Sequence, residues 1–263
     1  MVPLLMLVAG LAVMLYPAFS NWWNTGHMST AVQSYDEACD ELQQAEREAL
    51  LDDARRYNED LYKADCGTDP TSALKERYEA LLASDSSGIM AHVKIPAIDV
   101  DLPIYHGTSD GVLRAGTGHL DWTSLPVGGA STHCVIAGHT GLPEAELFTK
   151  LSSLKEGDTF SLVCLGQTAT YEVDKVSTVP PWDTSLLRIE RGRDLCTLLT
   201  CTPYGQNTDR LLVRGHRVAN DEGEQQADSG ANNTNPLDEL PLVAVLLVVS
   251  IAVVVRLALY KSS

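Results

Sequence analysis

A cysteine and an arginine stand at the two sides of a turn between predicted strands. The run Leu195 to Leu199 is apolar and β-prone, and it leads directly into Thr200 and Cys201. Residues 202–203 then break the strand, residues 204–207 have the composition of a turn, and a second β-prone run leaves from Arg210. The ends of two neighbouring strands would therefore hold a thiol and a guanidinium close together. A nearby cation favours the nucleophilic thiolate, and a guanidinium can stabilise the oxyanion of an acyl-transfer intermediate.

One histidine is placed to serve as the base of such a site. The run Cys134 to Ala137 has the pattern of a short buried strand, and it ends in the turn Gly138-His139-Thr140-Gly141. Flanking glycines allow a backbone to approach another element closely. A cysteine with a distant histidine is a recognised nucleophile pattern, because the pair meets in the fold and not in the sequence. His139 is therefore the candidate base for Cys201.

Three motifs in this order resemble the signature of the sortases and, within them, the pilus-assembling class C group. The motifs are the segment from Gly138 to Pro143, the segment from Thr197 to Cys201, and Arg210. Family-like sequence extends from about Ile95 to Arg217 and includes residues 102–107, 118–120, 123–129 and 147–151. The resemblance implies that Cys201, His139 and Arg210 are the catalytic residues.

The resemblance also implies a reaction. A cysteine transpeptidase of this family would cleave an LPxTG-type C-terminal signal of a pilin through a Cys201 thioester and transfer the acyl group to a lysine amine of another pilin. Thr200 and Leu199 would shape the substrate pocket, and no metal or organic cofactor is needed. Two alternatives stay open: a sortase that attaches surface proteins to cell-wall peptide, and a catalytically silent, membrane-tethered wall-binding domain.

Composition sets the frame for these motifs. The chain has 263 residues, a formal net charge of −16 and a pI near 4.7. Because nucleic acids require a basic surface, this charge argues against a nucleic-acid partner. The length allows one barrel domain together with membrane segments and a small helical appendage.

Two apolar segments predict attachment to a membrane. Residues 1–20 contain no charged side chain and are predicted to be a transmembrane segment or signal anchor. Residues 239–260 predict a second transmembrane helix, followed by Lys261. Positive charge on its far side predicts a cytoplasmic C-terminus. We therefore expect an extracellular catalytic domain on the cell membrane of a Gram-positive-type cell.

Residues 21–88 predict an extracellular helical appendage, interrupted at about residues 64–71. Class C sortases carry a lid there, with an Asp-Pro-aromatic motif. Asp69 and Pro70 match the first two positions, Thr71 replaces the aromatic residue, and Cys66 lies nearby. Without the family, Asp69-Pro70 is only a helix-breaking connector. Apolar residues at helical spacing predict the buried stripe Tyr35, Ala38, Leu42, Ala45, Ala49, Tyr57 and Leu61.

Residues 89–218 predict a mainly β catalytic domain. Several short β-prone runs are separated by turn residues, as in a sandwich or barrel, and the resemblance selects an eight-stranded β-barrel. Residues 219–238 are polar and predict a flexible stalk. The predicted strands are Met90–Ile95, Val100–Tyr105, His133–Ala137, Thr159–Leu165, Ala169–Val176, Leu195–Thr200 and Leu211–Arg217.

The remaining cysteines and histidines have structural interpretations. Cys39 and Cys66 both fall in the extracellular appendage, where disulfides persist, so a Cys39–Cys66 bridge that restrains the lid is one hypothesis. A Cys66–Cys201 disulfide that masks the nucleophile is a variant of it. Buried or hydrogen-bonded structural roles are predicted for Cys134, Cys164, Cys196, His106 and His119.

Overall fold

The chain folds as a closed β-barrel preceded by helices. The computed structural model describes residues 2–64, 72–82, 87–142 and 145–220. Within these ranges the helices are α1 (Val2–Glu41), α2 (Gln44–Lys63), α3 (Ser72–Tyr78) and α4 (Asp110–Ala115). The strands are β1 (Ile89–Ile95), β2 (Val100–His106), β3 (Thr117–His119), β4 (Thr132–Ala137), β5 (Thr159–Cys164), β6 (Gln167–Val179), β7 (Asp194–Thr202) and β8 (Asp209–Arg217).

The strand order around the barrel is β1-β2-β3-β4-β7-β8-β6-β5. The pairs β2–β3 and β4–β7 are parallel, and the other pairs are antiparallel. This arrangement confirms the predicted eight-stranded barrel, and each predicted β run overlaps an observed strand. Strand β3 was not predicted, because three residues containing Gly118 and His119 carry no β-prone alternation.

Strand β4, which leads into His139, is covered on both of its faces. Every residue of β4 is buried. Cys134 and Ile136 face the main core, whereas Val135 belongs to a second apolar cluster with Val179, Leu187 and Leu212. The connection between β6 and β7 supplies Leu187 and covers this outer face. A strand buried on both faces reads as a continuous apolar run, which is the pattern that residues 134–137 present.

Helices α1 and α2 pack their buried faces on the barrel. The Tyr35 hydroxyl donates to the Met90 carbonyl at 3.0 Å and accepts from the Leu165 amide at 2.9 Å. Tyr57 and Leu61 are buried as predicted, but the predicted stripe positions Ala45 and Ala49 are exposed.

The physical reason for this difference is a break in the helix. α1 ends at Glu41 and α2 begins anew at Gln44. The new helix has its own rotational phase, so its buried face contains Leu51 and Ala54.

Several predictions concern segments at or beyond the limits of the described residues. Residues 2–20 lie in the first half of α1. Within the described ranges, none of the helices has both the length and the apolar character needed to cross a bilayer. The predicted C-terminal transmembrane helix and nearly all of the predicted stalk lie outside the described residues, as does the lid sequence of residues 65–71.

Candidate active site

Cys201 and Arg210 lie opposite each other on two adjacent antiparallel strands. They are register partners in the β7–β8 pair. Directly paired residues project from the same face of a sheet, so the thiol and the guanidinium share one face. In the turn between the strands, the amide of Asn207 donates to the Pro203 carbonyl at 2.9 Å. The two strand ends therefore bring together the residues that the sequence placed there.

The Arg210 side chain is tied to its own turn. Its Nη1 donates to the carbonyl of Asp209 at 3.0 Å and to the carbonyl of Asn207 at 3.3 Å. A guanidinium carries five N–H donors in a planar fork. Because both of these bonds use Nη1, Nε and Nη2 remain to donate to a ligand oxygen in the cleft.

His139 follows β4 in a loop that the neighbouring elements hold tightly. The amide of Gly138 donates to the Leu199 carbonyl of β7 at 3.0 Å, and the His139 carbonyl accepts from the Phe148 amide at 3.0 Å. A Cβ at Gly138 would lie 2.6 Å from the Phe148 ring. Gly141 has φ +75°, and a Cβ there would lie 2.9 Å from the Tyr204 ring. The close approach predicted for both glycines is therefore present.

Thr200 supports the histidine loop from the neighbouring strand. It is 3% exposed, and its hydroxyl donates to the Gly138 carbonyl at 2.7 Å. The residue before Cys201 thus binds the residue before His139. This bond links the positions of the two reactive side chains.

The predicted site residues share one cleft of about 490 Å³. Its lining includes Leu199, Thr200, Cys201, Arg210 and His139. A partly exposed thiol beside a histidine and a guanidinium has the composition needed for nucleophilic acyl transfer.

One wall of the cleft is apolar and is formed by the second cluster described above. Leu120, Trp122, Val179, Leu187, Leu199 and Leu212 belong to both the cluster and the cleft. An apolar cleft with a few convergent polar groups is typical of a binding site for an extended ligand. The sequence analysis predicted only Leu199 of this wall, because the other residues come from strands and connections far apart in the chain.

An ion-pair network holds the β6–β7 connection against the barrel. Arg214 contacts Asp174 at 2.8 Å and Glu190 at 2.9 Å, and Arg193 contacts both carboxylates at 2.7 Å. The hydrogen bond from Arg193 holds the pKa of Glu190 below its usual value. Burial raises the pKa of Asp174, but hydrogen bonds from Arg214 and Arg193 outweigh burial and lower it, so both carboxylates stay charged and paired at neutral pH.

An acidic residue that the sequence analysis missed lies beside His139. Asp110, at the start of α4, places its Oδ1 3.9 Å from His139 Nε2. A hydrogen bond from Arg114 lowers the pKa of Asp110, and the charge of His139 lowers it further. The available signal was Ser109, whose hydroxyl caps α4 by accepting from the Val112 amide at 3.3 Å.

The other predicted residues divide into two groups. Cys134, Cys164 and Cys196 are buried, and His119 and His106 are hydrogen-bonded to Tyr78 and to the Leu81 carbonyl, so these structural predictions are confirmed. The lid residues Cys66, Asp69, Pro70 and Thr71 lie outside the described residues, and with them both disulfide hypotheses, Cys39–Cys66 and Cys66–Cys201.

Comparison with known proteins identifies the class of protein that this fold and cleft define. Residues 93–218 match the sortase domain. Over 136 residues, 51% of this chain, the protein is 30% identical to sortase D of Bacillus subtilis (strain 168) and spans 64% of that relative's length. It therefore covers less than two thirds of this relative.

Solved structures match over a larger share of both chains. Sortase C1 of Streptococcus agalactiae is 43% identical, with a TM-score of 0.71 over 73% of this chain and 100% of that chain. Clostridium perfringens sortase C with the C-terminal cell wall sorting motif is 38% identical, with a TM-score of 0.64 over 73% of this chain and 100% of that chain. The protein belongs to the sortase family, the cysteine transpeptidases, and its structural neighbours at about 40% identity are mostly class C pilus sortases.

Proposed function

We propose that this protein is a membrane-anchored class C sortase that polymerises pilins. The observation that carries the proposal is the cross-strand pairing of Cys201 with Arg210 in the cleft that also contains His139. Family membership and the identity to sortase C structures support the class. The apolar cluster beside the cysteine supports an extended peptide substrate with apolar residues ahead of the scissile bond.

Cys201 is the nucleophile of the first step. As a thiolate paired with protonated His139, it attacks the carbonyl carbon of the threonine in an LPxTG-type signal. Arg210 donates hydrogen bonds to the oxyanion that forms. The C–N bond to the following residue breaks, and His139 gives its proton to the departing amine. The acyl group remains on Cys201 as a thioester.

The second step transfers the acyl group to a pilin. The ε-amine of a lysine attacks the thioester carbonyl, and neutral His139 accepts the proton that the amine loses. The C–S bond breaks and the Cys201 thiolate returns. The product is an isopeptide bond between two pilin subunits, and the enzyme ends in its starting protonation state.

The membrane location is part of the same proposal. Residues 1–20 and 239–260 would anchor the chain on either side of an extracellular catalytic domain, as the charge pattern predicts. A lid at residues 64–71, with Asp69 as its acidic residue, would gate the cleft. These features rest on the sequence and on the family.

Mass spectrometry of the reaction products tests the proposal. The full-length protein in detergent micelles would be incubated with an LPxTG peptide and a lysine-bearing pilin domain. We expect an isopeptide-linked product that disappears in Cys201→Ala and persists in the control Cys196→Ala, because Cys196 is fully buried in the core. A gain in rate with Asp69→Ala would support the lid.

Two other outcomes would overturn the proposal. Peptide cleavage without a lysine adduct, together with transfer to a cell-wall peptide amine, would show a wall-anchoring sortase. No acyl product on Cys201, with or without Asp69→Ala, would show a catalytically silent wall-binding domain.

A further inference from the structure

Asp110 is an acidic side chain whose two oxygens face different partners. Its Oδ2 accepts from Arg114 Nε at 3.0 Å, and its Oδ1 lies 3.9 Å from His139 Nε2. The ion pair with Arg114 follows helical i,i+4 spacing and holds one oxygen on α4. The other oxygen lies on the side of the histidine ring.

The barrel fixes the distance between α4 and His139. Gly118 of β3 is the register partner of Ala137, two residues before His139. The loop and helix that carry Asp110 pack directly on Gly118. A Cβ there would overlap the Gly107 carbonyl oxygen and lie 3.0 Å from Val112. Gly118 therefore contacts both the α4 segment that carries Asp110 and the strand β4 that leads into His139.

A carboxylate near His139 would stabilise the positive charge that the ring must carry in the first step. Among the residues that the structure describes, the charged and titratable side chains that line its cleft are Cys201 and Arg210 from β7 and β8, and Asp183 from the β6–β7 connection. Arg210 disfavours a second positive charge in this cleft, and His139 must carry one in the first step. The Asp110 carboxylate, approaching from α4, compensates for that repulsion.

We propose that Asp110 is a positioning residue for His139: its carboxylate, with Oδ1 3.9 Å from Nε2, stabilises by its negative charge the imidazolium that pairs with the Cys201 thiolate. This inference rests on the proposed function and assigns a fourth residue to the same site.

The expected effect is modest, because the Asp110 side chain is 75% exposed. Exposed ion pairs are weakened by solvent and salt, so we expect Asp110→Asn to lower the imidazolium–thiolate population by about two- to fivefold at low ionic strength. Asp110→Glu would restore most of it. At about 1 M salt the wild type and Asp110→Asn would converge.

The rate at which iodoacetamide alkylates Cys201 measures the imidazolium–thiolate population. The reaction would be run on the full-length protein in detergent and followed by peptide mass spectrometry. Only the thiolate reacts. At pH values where an imidazole can carry a proton, Asp110→Asn would react about two- to fivefold more slowly than the wild type. At strongly alkaline pH an imidazolium cannot form, so the carboxylate has no charge to stabilise and the two rates would be equal.

Two control variants separate this role from a structural one. Asp52→Asn removes another exposed carboxylate that pairs with an arginine on its own helix, and it would leave the profile unchanged. Asp53→Asn removes the exposed carboxylate that pairs with Arg56 on the same helix, and it would likewise leave the profile unchanged.

Either of two results would overturn the inference. One is a profile of Asp110→Asn that equals that of the wild type. The other is a loss of rate that is equal at every pH and is not rescued by Asp110→Glu. If the wild type forms no acyl product on Cys201 at all, the proposed function fails instead, whatever Asp110 does.

Discussion

At the scale of single residues, the candidate site depends on side chains whose neighbours leave them little freedom. Arg210 is the cross-strand partner of Cys201, and its Nη1 donates hydrogen bonds to two backbone carbonyls. The planar fork is therefore oriented before any ligand enters. Such preorganised donors contribute most to stabilising an oxyanion, since they need no reorganisation during the reaction.

Replacing Arg210 by lysine tests this orientation while keeping the charge. An ammonium has no planar fork and cannot satisfy the turn carbonyls and an oxyanion together, so we expect kcat/KM for transpeptidation to fall about 10- to 100-fold. Arg217→Lys, at the far end of the same strand, is the control and should retain activity. Equal kcat/KM for Arg210→Lys and the wild type would contradict a role for the fork.

At the scale of elements, α1 is docked on the barrel through a buried charge. His92 of β1 is fully buried, with Nδ1 2.7 Å from Asp101 of β2 and Nε2 3.3 Å from Asp36 of α1. Burial lowers the pKa of His92, but the hydrogen bond to Asp101 and the negative charges of Asp101 and Asp36 outweigh burial and raise it to about 9. A protonated imidazole therefore joins one helix to two strands.

The pH dependence of stability follows from this raised pKa. A raised pKa in the folded state stabilises the fold fully below the unfolded value of 6.5, and that stabilisation is lost as the pH rises through about 9. We expect the wild type to lose about 1–3 kcal/mol of unfolding free energy across this window, measured by urea denaturation.

Two histidine variants make this pH dependence specific. His92→Gln should be less stable than the wild type at pH 6.5 and should show a flatter dependence. His27→Gln, which changes an exposed histidine of α1, should keep the wild-type slope. If His92→Gln kept the wild-type dependence of unfolding free energy on pH, a stabilising charge on His92 would be contradicted.

At the scale of the whole molecule, the helices and the barrel share one core. The main apolar cluster runs from Met28 and Tyr35 of α1, through Tyr57 of α2, to strand residues such as Val213. Asn58 of α2 also joins the helices to the barrel domain, through two hydrogen bonds to the backbone of Leu125. Its amide donates to the Leu125 carbonyl at 3.2 Å, and its oxygen accepts from the Leu125 amide at 2.7 Å.

Removing the Asn58 amide leaves two buried backbone groups of Leu125 without their partners. We therefore expect Asn58→Ala to lower the unfolding free energy by about 2–3 kcal/mol, measured by urea denaturation. The neighbouring exposed change Glu59→Ala should stay within about 0.5 kcal/mol of the wild type. Similar costs for both variants would mean that the bonds to Leu125 contribute little.

The sequence by itself determined the local structure and the identity of the reactive groups. Strand runs, the turn after Cys201 and the glycines around His139 are local signals, because alternation and backbone freedom act over a few residues. The family motifs added the expectation that Cys201, His139 and Arg210 meet. Even so, Ala45 and Ala49 were placed on the wrong face, since a two-residue break resets the phase of a helix.

Only the tertiary structure decided what lies between distant segments. The short strand β3, the apolar wall with Leu187 and the approach of Asp110 to His139 all depend on parallel and crossover pairings around the barrel. No local pattern encodes such contacts, because each partner alone is an ordinary exposed or apolar residue. Their physical origin is the closure of the barrel, which brings the ends of β4, β7 and β8 and the α4 segment to one rim.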